Sequence, residues 1–222
     1  MILPKEIPYP VLVTDCSSPG VCVGILDESG WSAYSKWDGD TVADLFKGVK
    51  QVLQLSGFKL EELGGFAYCE GPGSTMGIRI NAMAIRTWNQ IFKNPKPVYA
   101  YRSLAAAALM VRRSLRGTGS FSVLSDLRKG AWNGLKCETE PVQESIAVVN
   151  TRDLETWPRP IYFVQQRIHS PSHPDQSVRL DYDIESIGAS QEFAGLWRWV
   201  VKPDVFQTTK TEFKKWTPSR HR

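Results

Sequence analysis

The chain has 222 residues, 42% hydrophobic and 23% charged, with a formal net charge of +4. That balance excludes disorder and low complexity, and no apolar run reaches the roughly 18 residues of a membrane span. The length allows one large core or two small lobes.

The start, MILPKEIPYP, lacks the charged, apolar and small-residue order of a signal peptide, so the expected compartment is the cytoplasm. VLVT at 11–14 is a short apolar run that predicts a buried strand ending at Asp15. After the turn CSSPG, VCVGIL predicts a second strand and WSAYSKW a third, the three forming a meander. Asp40 or Thr41 can cap a helix in which Val42, Leu45, Phe46, Val49, Val52 and Leu53 make one apolar face, with Gly57 as its stop. GGFAYCE predicts a strand, followed by the loop GPGST and a second helix. PVYAY is the next strand, and Ser103 caps a helix that Gly117 ends.

The pattern then restarts. FSVLSD is a strand ending at Asp126, LRKG a turn and AWNGLKCE a second strand. Asp126 lies 111 residues after Asp15, half of the 222-residue length, which suggests an internal repeat. IAVVN, a short helix near Thr151 to Trp157 and IYFVQQ continue the second half. HSPSHPDQS reads as a polar loop, and ESIGASQEFAGLWRWVV as a closing helix. The segment from Lys202 is expected to lie along the surface. The order predicts an α/β fold of two lobes, residues 1–117 and a smaller 118–222.

The loop of Gly71, Pro72, Gly73 and Ser74, with Gly77 and Arg79 beyond it, sits between a strand and a helix. Unpaired N–H groups at a helix start favour an anion, so phosphate binding is one reading. The other is a structural turn with Ser74 as cap, because the loop has neither the phosphate-loop Lys nor the dinucleotide spacing. Asp15 and Asp126 end strands, where a carboxylate either holds Mg²⁺ or caps a turn. The four cysteines, Cys16, Cys22, Cys69 and Cys137, form no C-x-x-C pair and read as buried free thiols. His169, His173 and His221 give no metal or nucleophile motif, so no catalytic or metal-binding residue is assigned. Basic residues gather in RRSLR at 112–116, FKK at 213–215 and the tail SRHR, as an RNA-attracting patch or as solvated faces. The helix after Ser74 carries apolar residues on more than one side. It is either a central core helix or one that packs on its own sheet and on another subunit.

YCEGPGSTMGIRINAMAI and YRSLAAAALMV resemble the hallmark of the TsaB family, also called YeaZ, a branch of the actin-like ATPase and sugar-kinase superfamily. Gly71, Pro72, Gly73, Ser74, Gly77, Ile78, Arg79 and Ile80 agree with the hallmark. Cys69, Thr75, Met76 and Asn81 depart from it. VLVTDCSS resembles the family's opening Asp-Thr-Ser strand, with Cys16 for Thr. LSDLRKG resembles its Asp-Ala-Arg strand, with Leu127 for Ala. FQTTKTEFKKW is similar to the family's closing segment, with Thr208 for Arg.

The resemblance implies a two-lobed actin-like fold with a reduced second lobe. It implies a non-catalytic subunit that docks on a related protein, TsaD, which carries the metal-binding His motif and makes threonylcarbamoyladenosine in tRNA beside the anticodon. Docking would use the helices flanking the hallmark loop, with Ile78, Met83, Ile85 and Trp88 on one and Leu45 and Val49 on the other. It implies no cofactor for the isolated chain, leaves ATP or ADP with Mg²⁺ open at the partner interface, and reaches tRNA only indirectly. A homodimer through the same helices is the competing contact. Older labels call the family glycoproteases, and this sequence has no peptidase motif. The alternative function is a nucleotide-dependent small kinase or ATPase of the same superfamily, using Asp15 or Asp126 for Mg²⁺.

Overall fold

The computed structural model describes residues 7–115, 119–138, 145–166, 173–188 and 191–209. Gly117, His169, His221 and the basic segments at 213–215 and 219–222 lie outside the described residues, as does Arg116. The apolar runs of the first half form strands β1 (Val11–Asp15), β2 (Val21–Asp27) and β3 (Gly30–Trp37), an antiparallel meander as expected. Helix α1 (Thr41–Ser56) follows. The Asp40 carboxylate accepts from the Ala43 N–H at 2.8 Å, and Gly57 closes the helix at φ 77° with its N–H on the Leu53 carbonyl. Strand β4 (Gly65–Gly71) then pairs parallel to β1, and β5 (Val98–Arg102) parallel to β4, with α2 (Thr75–Gln90) between them and α3 (Ser103–Leu115) after β5.

The second half repeats the plan. Strands β6 (Phe121–Arg128), β7 (Ala131–Cys137) and β8 (Ala147–Asn150) form a meander. Strands β9 (Ile161–Val164) and β10 (Ser177–Leu180) add in parallel on the other side of β6. With β11 (Arg198–Trp199), the sheet orders are β11-β5-β4-β1-β2-β3 and β10-β9-β6-β7-β8, so both place the first strand of their half at the centre between its meander and its parallel pair. This is a two-lobed α/β arrangement, as expected. The second lobe is the smaller one, since a 3₁₀ turn (Thr151–Thr156) joins β8 to β9 where α1 joins β3 to β4.

The HSPSHPDQS loop is loop and turn over its described residues 173–176, with β10 starting at its last residue, Ser177. One expectation fails. The closing helix breaks into a 3₁₀ turn (Ile184–Ile187), a one-turn helix α4 (Gln191–Gly195) and strand β11 (Arg198–Trp199). Trp197 is buried against Tyr99, ring centroids 5.9 Å apart, and β11 gains backbone pairing on the open edge of β5 that a continued helix would forgo. Strand β11, late in the second half, therefore lies on the first sheet. Nor is the stretch after Lys202 merely superficial: Val205 packs into the first lobe.

Helix α3 packs against strands of both sheets. Ala105, Ala106, Ala107 and Ala108 are all buried, and small side chains let two sheets approach one helix from different sides. Helices α1 and α2 cover the opposite face of the first sheet, where Ala82, Ile85 and Trp88 meet Leu45, Val49 and Val52. This corrects the expected docking set. Ile78, Ile85, Trp88, Leu45 and Val49 are buried in the chain's own core, because a 100° step per residue turns them to the sheet, and only Met83 of that set is exposed. Ile85→Asp therefore cannot separate docking from folding. It is expected to cost about 4 kcal/mol or more by burying a lone carboxylate, read as collapse of the urea unfolding midpoint of the purified chain.

Candidate functional site

The ends of β1 and β6, the turn after β4 and the segment after β10 converge between the lobes. Asp15 closes β1 and is buried. Its Oδ1 accepts from the Ser17 N–H at 2.8 Å. Its Oδ2 accepts from the Tyr101 hydroxyl at 2.9 Å and from the Tyr182 hydroxyl at 2.7 Å. Tyr101 lies on β5 and Tyr182 just beyond β10, so one carboxylate ties the two sheets together. Of the two readings of Asp15, the structure supplies the contacts of the structural one.

Beside it, the Tyr34 hydroxyl and Lys36 Nζ donate to Asp183, at 2.5 and 3.2 Å. The Trp31 indole N–H donates to the Glu185 carbonyl at 3.0 Å. Burial, reinforced by the Asp15 charge, pushes the Tyr101 and Tyr182 hydroxyls well above their ordinary 10.0. Burial does the same to the Cys16 and Cys69 thiols against 9.0, and pushes Cys22 to about 12.

Asp126 is also buried, and its Oδ2 accepts from the Gln166 N–H at 2.7 Å. Gln166 reaches across to the glycine-rich loop, where its Nε2 donates to the Pro72 carbonyl at 2.7 Å and to Ser103 Oγ at 3.0 Å. Ser103 Oγ donates to the same carbonyl at 2.5 Å. The loop is thus held from both lobes. The Ser74 N–H donates to the Ser17 carbonyl at 2.8 Å, and Ser74 Oγ caps α2 by accepting from the Gly77 N–H at 3.4 Å.

The glycines answer to close approach. A Cβ on Gly73 would lie 2.4 Å from the Ser17 carbonyl oxygen, and one on Gly77 2.1 Å from that of Cys16. Gly71 has φ +114° and lies against the Phe206 carbonyl. Two N–H groups that a phosphate would need, those of Ser74 and Gly77, are taken by the protein itself. Arg79 is exposed and forms no ion pair among the described residues. No described group of three His, Cys, Asp or Glu residues is placed to hold a metal, and His173 borders Pro174 in its loop. A 330 Å³ pocket opens between the lobes, lined by Ser18, Gly20, Lys36, Asp38, Arg179 and Tyr182 among others.

Tyr101, Tyr182, Ser103 and Gln166 carry this junction, and sequence reasoning did not single out Tyr101, Tyr182 or Gln166. Their partners lie 86, 167 and 94 residues away, so no local spacing signals them. Asn81, a departure from the hallmark, is buried and bridges to β1. It accepts from the Thr14 hydroxyl at 2.6 Å and donates to the Thr14 carbonyl at 3.1 Å.

The outer side of α2 differs in kind. Met76, Ile80, Met83, Thr87 and Ile91 follow at steps of three and four, so they share one stripe. Met76 is 73% exposed and Met83 54%. Val42 and Phe46 stand exposed on the neighbouring α1, and Phe46 meets Trp88 edge-on at 5.7 Å. The two helices therefore show a shared apolar surface to solvent.

Two outcomes test the junction. Gly77→Ala is expected to destabilise by about 1–3 kcal/mol, because its methyl group meets backbone rather than a yielding side chain. Circular-dichroism melting reads it. The raised thiols and tyrosines bind protons more tightly when folded. Their stabilisation is thus full below about pH 9 and falls as pH climbs past the unfolded values near 9 and 10. Urea midpoints measured from about pH 8 to about pH 11 should decline steadily over that window.

No family model matches the chain, and no curated protein matches it. Solved structures do. YeaZ from Pseudomonas aeruginosa superposes with a TM-score of 0.59 at 19% identity, over 82% of this chain and 96% of that one. An uncharacterized protein with similarity to the peptidase YeaZ from Pseudomonas aeruginosa gives a TM-score of 0.58 at 20% identity, over 77% of this chain and 82% of that one. This chain has the two-lobed fold of YeaZ.

Proposed function

We propose that the chain is a TsaB-like, non-catalytic subunit of a tRNA threonylcarbamoyl transferase, docking on a TsaD-like catalytic subunit. The observation that carries this reading is the solvent-exposed apolar stripe of α2 beside Val42 and Phe46 of α1. A chain this size with Met76, Met83, Phe46 and Ile91 in water has surface suited to a partner. The hallmark loop serves that surface by launching α2 at a fixed angle, through Ser17 and Cys16 on one side and Pro72 on the other. The YeaZ fold supports the same reading.

The kinase or ATPase alternative finds less support, since Ser17, Tyr101 and Tyr182 already occupy the Asp15 carboxylate. Under this reading the isolated chain needs no nucleotide of its own. ATP or ADP with Mg²⁺ belongs to the joint surface with the partner, tRNA is met through that partner, and the complex works in the cytoplasm.

Met83→Asp tests the surface. Co-purification with the TsaD-like subunit should fall at least about tenfold, while stability of the isolated chain changes by no more than about 0.5 kcal/mol. Undiminished co-purification places docking elsewhere. Sedimentation of the chain alone shows whether a second copy uses the same stripe. Micromolar ATP binding by the isolated chain would favour the enzyme.

A further inference from the structure

Sulfur is unevenly distributed between core and surface. Cys16, Cys22, Cys69 and Cys137 are free and all buried. Burial raises each of their thiols above the ordinary 9.0, so neither access nor thiolate character equips them to react with an oxidant. Met110, inside α3, is only 9% exposed. Among the described residues the accessible sulfur is that of Met76 and Met83, seven residues apart on one stripe of α2. Met83 Sδ already accepts a weak hydrogen bond from Arg86 Nη1 at 3.7 Å.

We infer that Met76 and Met83 form a paired oxidation site, at which a peroxide converts each thioether to the sulfoxide and makes the outer stripe of α2 polar. The sulfur lone pair attacks one peroxide oxygen, the S–O bond forms and the O–O bond breaks. Sulfur loses two electrons, and with hydrogen peroxide the departing hydroxide takes the proton of the transferred oxygen and leaves as water. A thiol-driven sulfoxide reductase restores the thioether. At Met83 the new oxygen is a better acceptor for the Arg86 guanidinium than sulfur was. The effect on docking rests on the proposed function. A stripe that buries two thioethers against an apolar partner would have to bury two sulfoxide dipoles instead.

The experiment treats the full chain with hydrogen peroxide and follows oxygen uptake by peptide mass spectrometry. Met76 and Met83 are expected to oxidise ahead of Met110 and all four cysteines, with the melting midpoint shifted by no more than about 2 °C. The oxidised chain should then bind the TsaD-like subunit about tenfold more weakly than the untreated chain. The double variant Met76→Leu, Met83→Leu should keep its affinity through the same treatment. Oxidation of Met110 or a cysteine at an equal rate overturns the site. Unchanged affinity after full oxidation overturns the switch. Failure of the untreated chain to bind that subunit overturns the docking reading alone, because the order of oxidation is measured without it.

Discussion

The fold depends on one carboxylate. Asp15 ends the central strand of the first sheet and accepts hydroxyls from Tyr101 of its own lobe and Tyr182 of the other. A buried carboxylate without donors would be costly, and each tyrosine would be costly without an acceptor. The three groups therefore enforce one relative position of the lobes. Asp183 extends the same clamp to Tyr34 and Lys36 on β3. In a two-lobed fold with a cleft, this cluster sits where the lobes would otherwise part.

The turn after β4 is placed by the same junction. Pro72 receives donors from Ser103 and from Gln166 of the second lobe, and Gly73 and Gly77 press on the backbone at Ser17 and Cys16. Its composition is that of an anion cradle, yet its glycines are explained by contact distances. A glycine-rich strand-to-helix turn can thus fix the angle of a helix through close backbone contacts.

Most of the first lobe was legible in the sequence because its signals are local. The Asp40 cap, the Gly57 stop and the apolar spacing of α1 set that helix within a residue of where it lies. The repeat was visible in the matched positions of Asp15 and Asp126, and the shared strand order gives it substance. The C-terminal part was not legible. Strand β10 is four residues long with a half-exposed valine, and β11 exists only because β5 offers an edge. The α2 pattern showed two apolar sides but not which faced inward, and the sheet alone decides that for Ile78 and Ile85 against Met76 and Met83.

The returning strap at 203–208 has a consequence for synthesis. The Tyr68 hydroxyl bonds to the backbone of Asp204, 136 residues later, the Pro203 carbonyl accepts from Arg86, and the Phe206 N–H donates to the Glu70 carbonyl. Thr208 then reaches Asn133 in the other lobe. The first lobe is encoded almost wholly in the first half of the chain, yet its sheet edge and several of its polar groups are completed by residues 198–206. On a nascent chain those groups lack their partners until residues 198–206 have been made. Contacts of such long sequence separation are slow to form, so the two halves complete together rather than in turn.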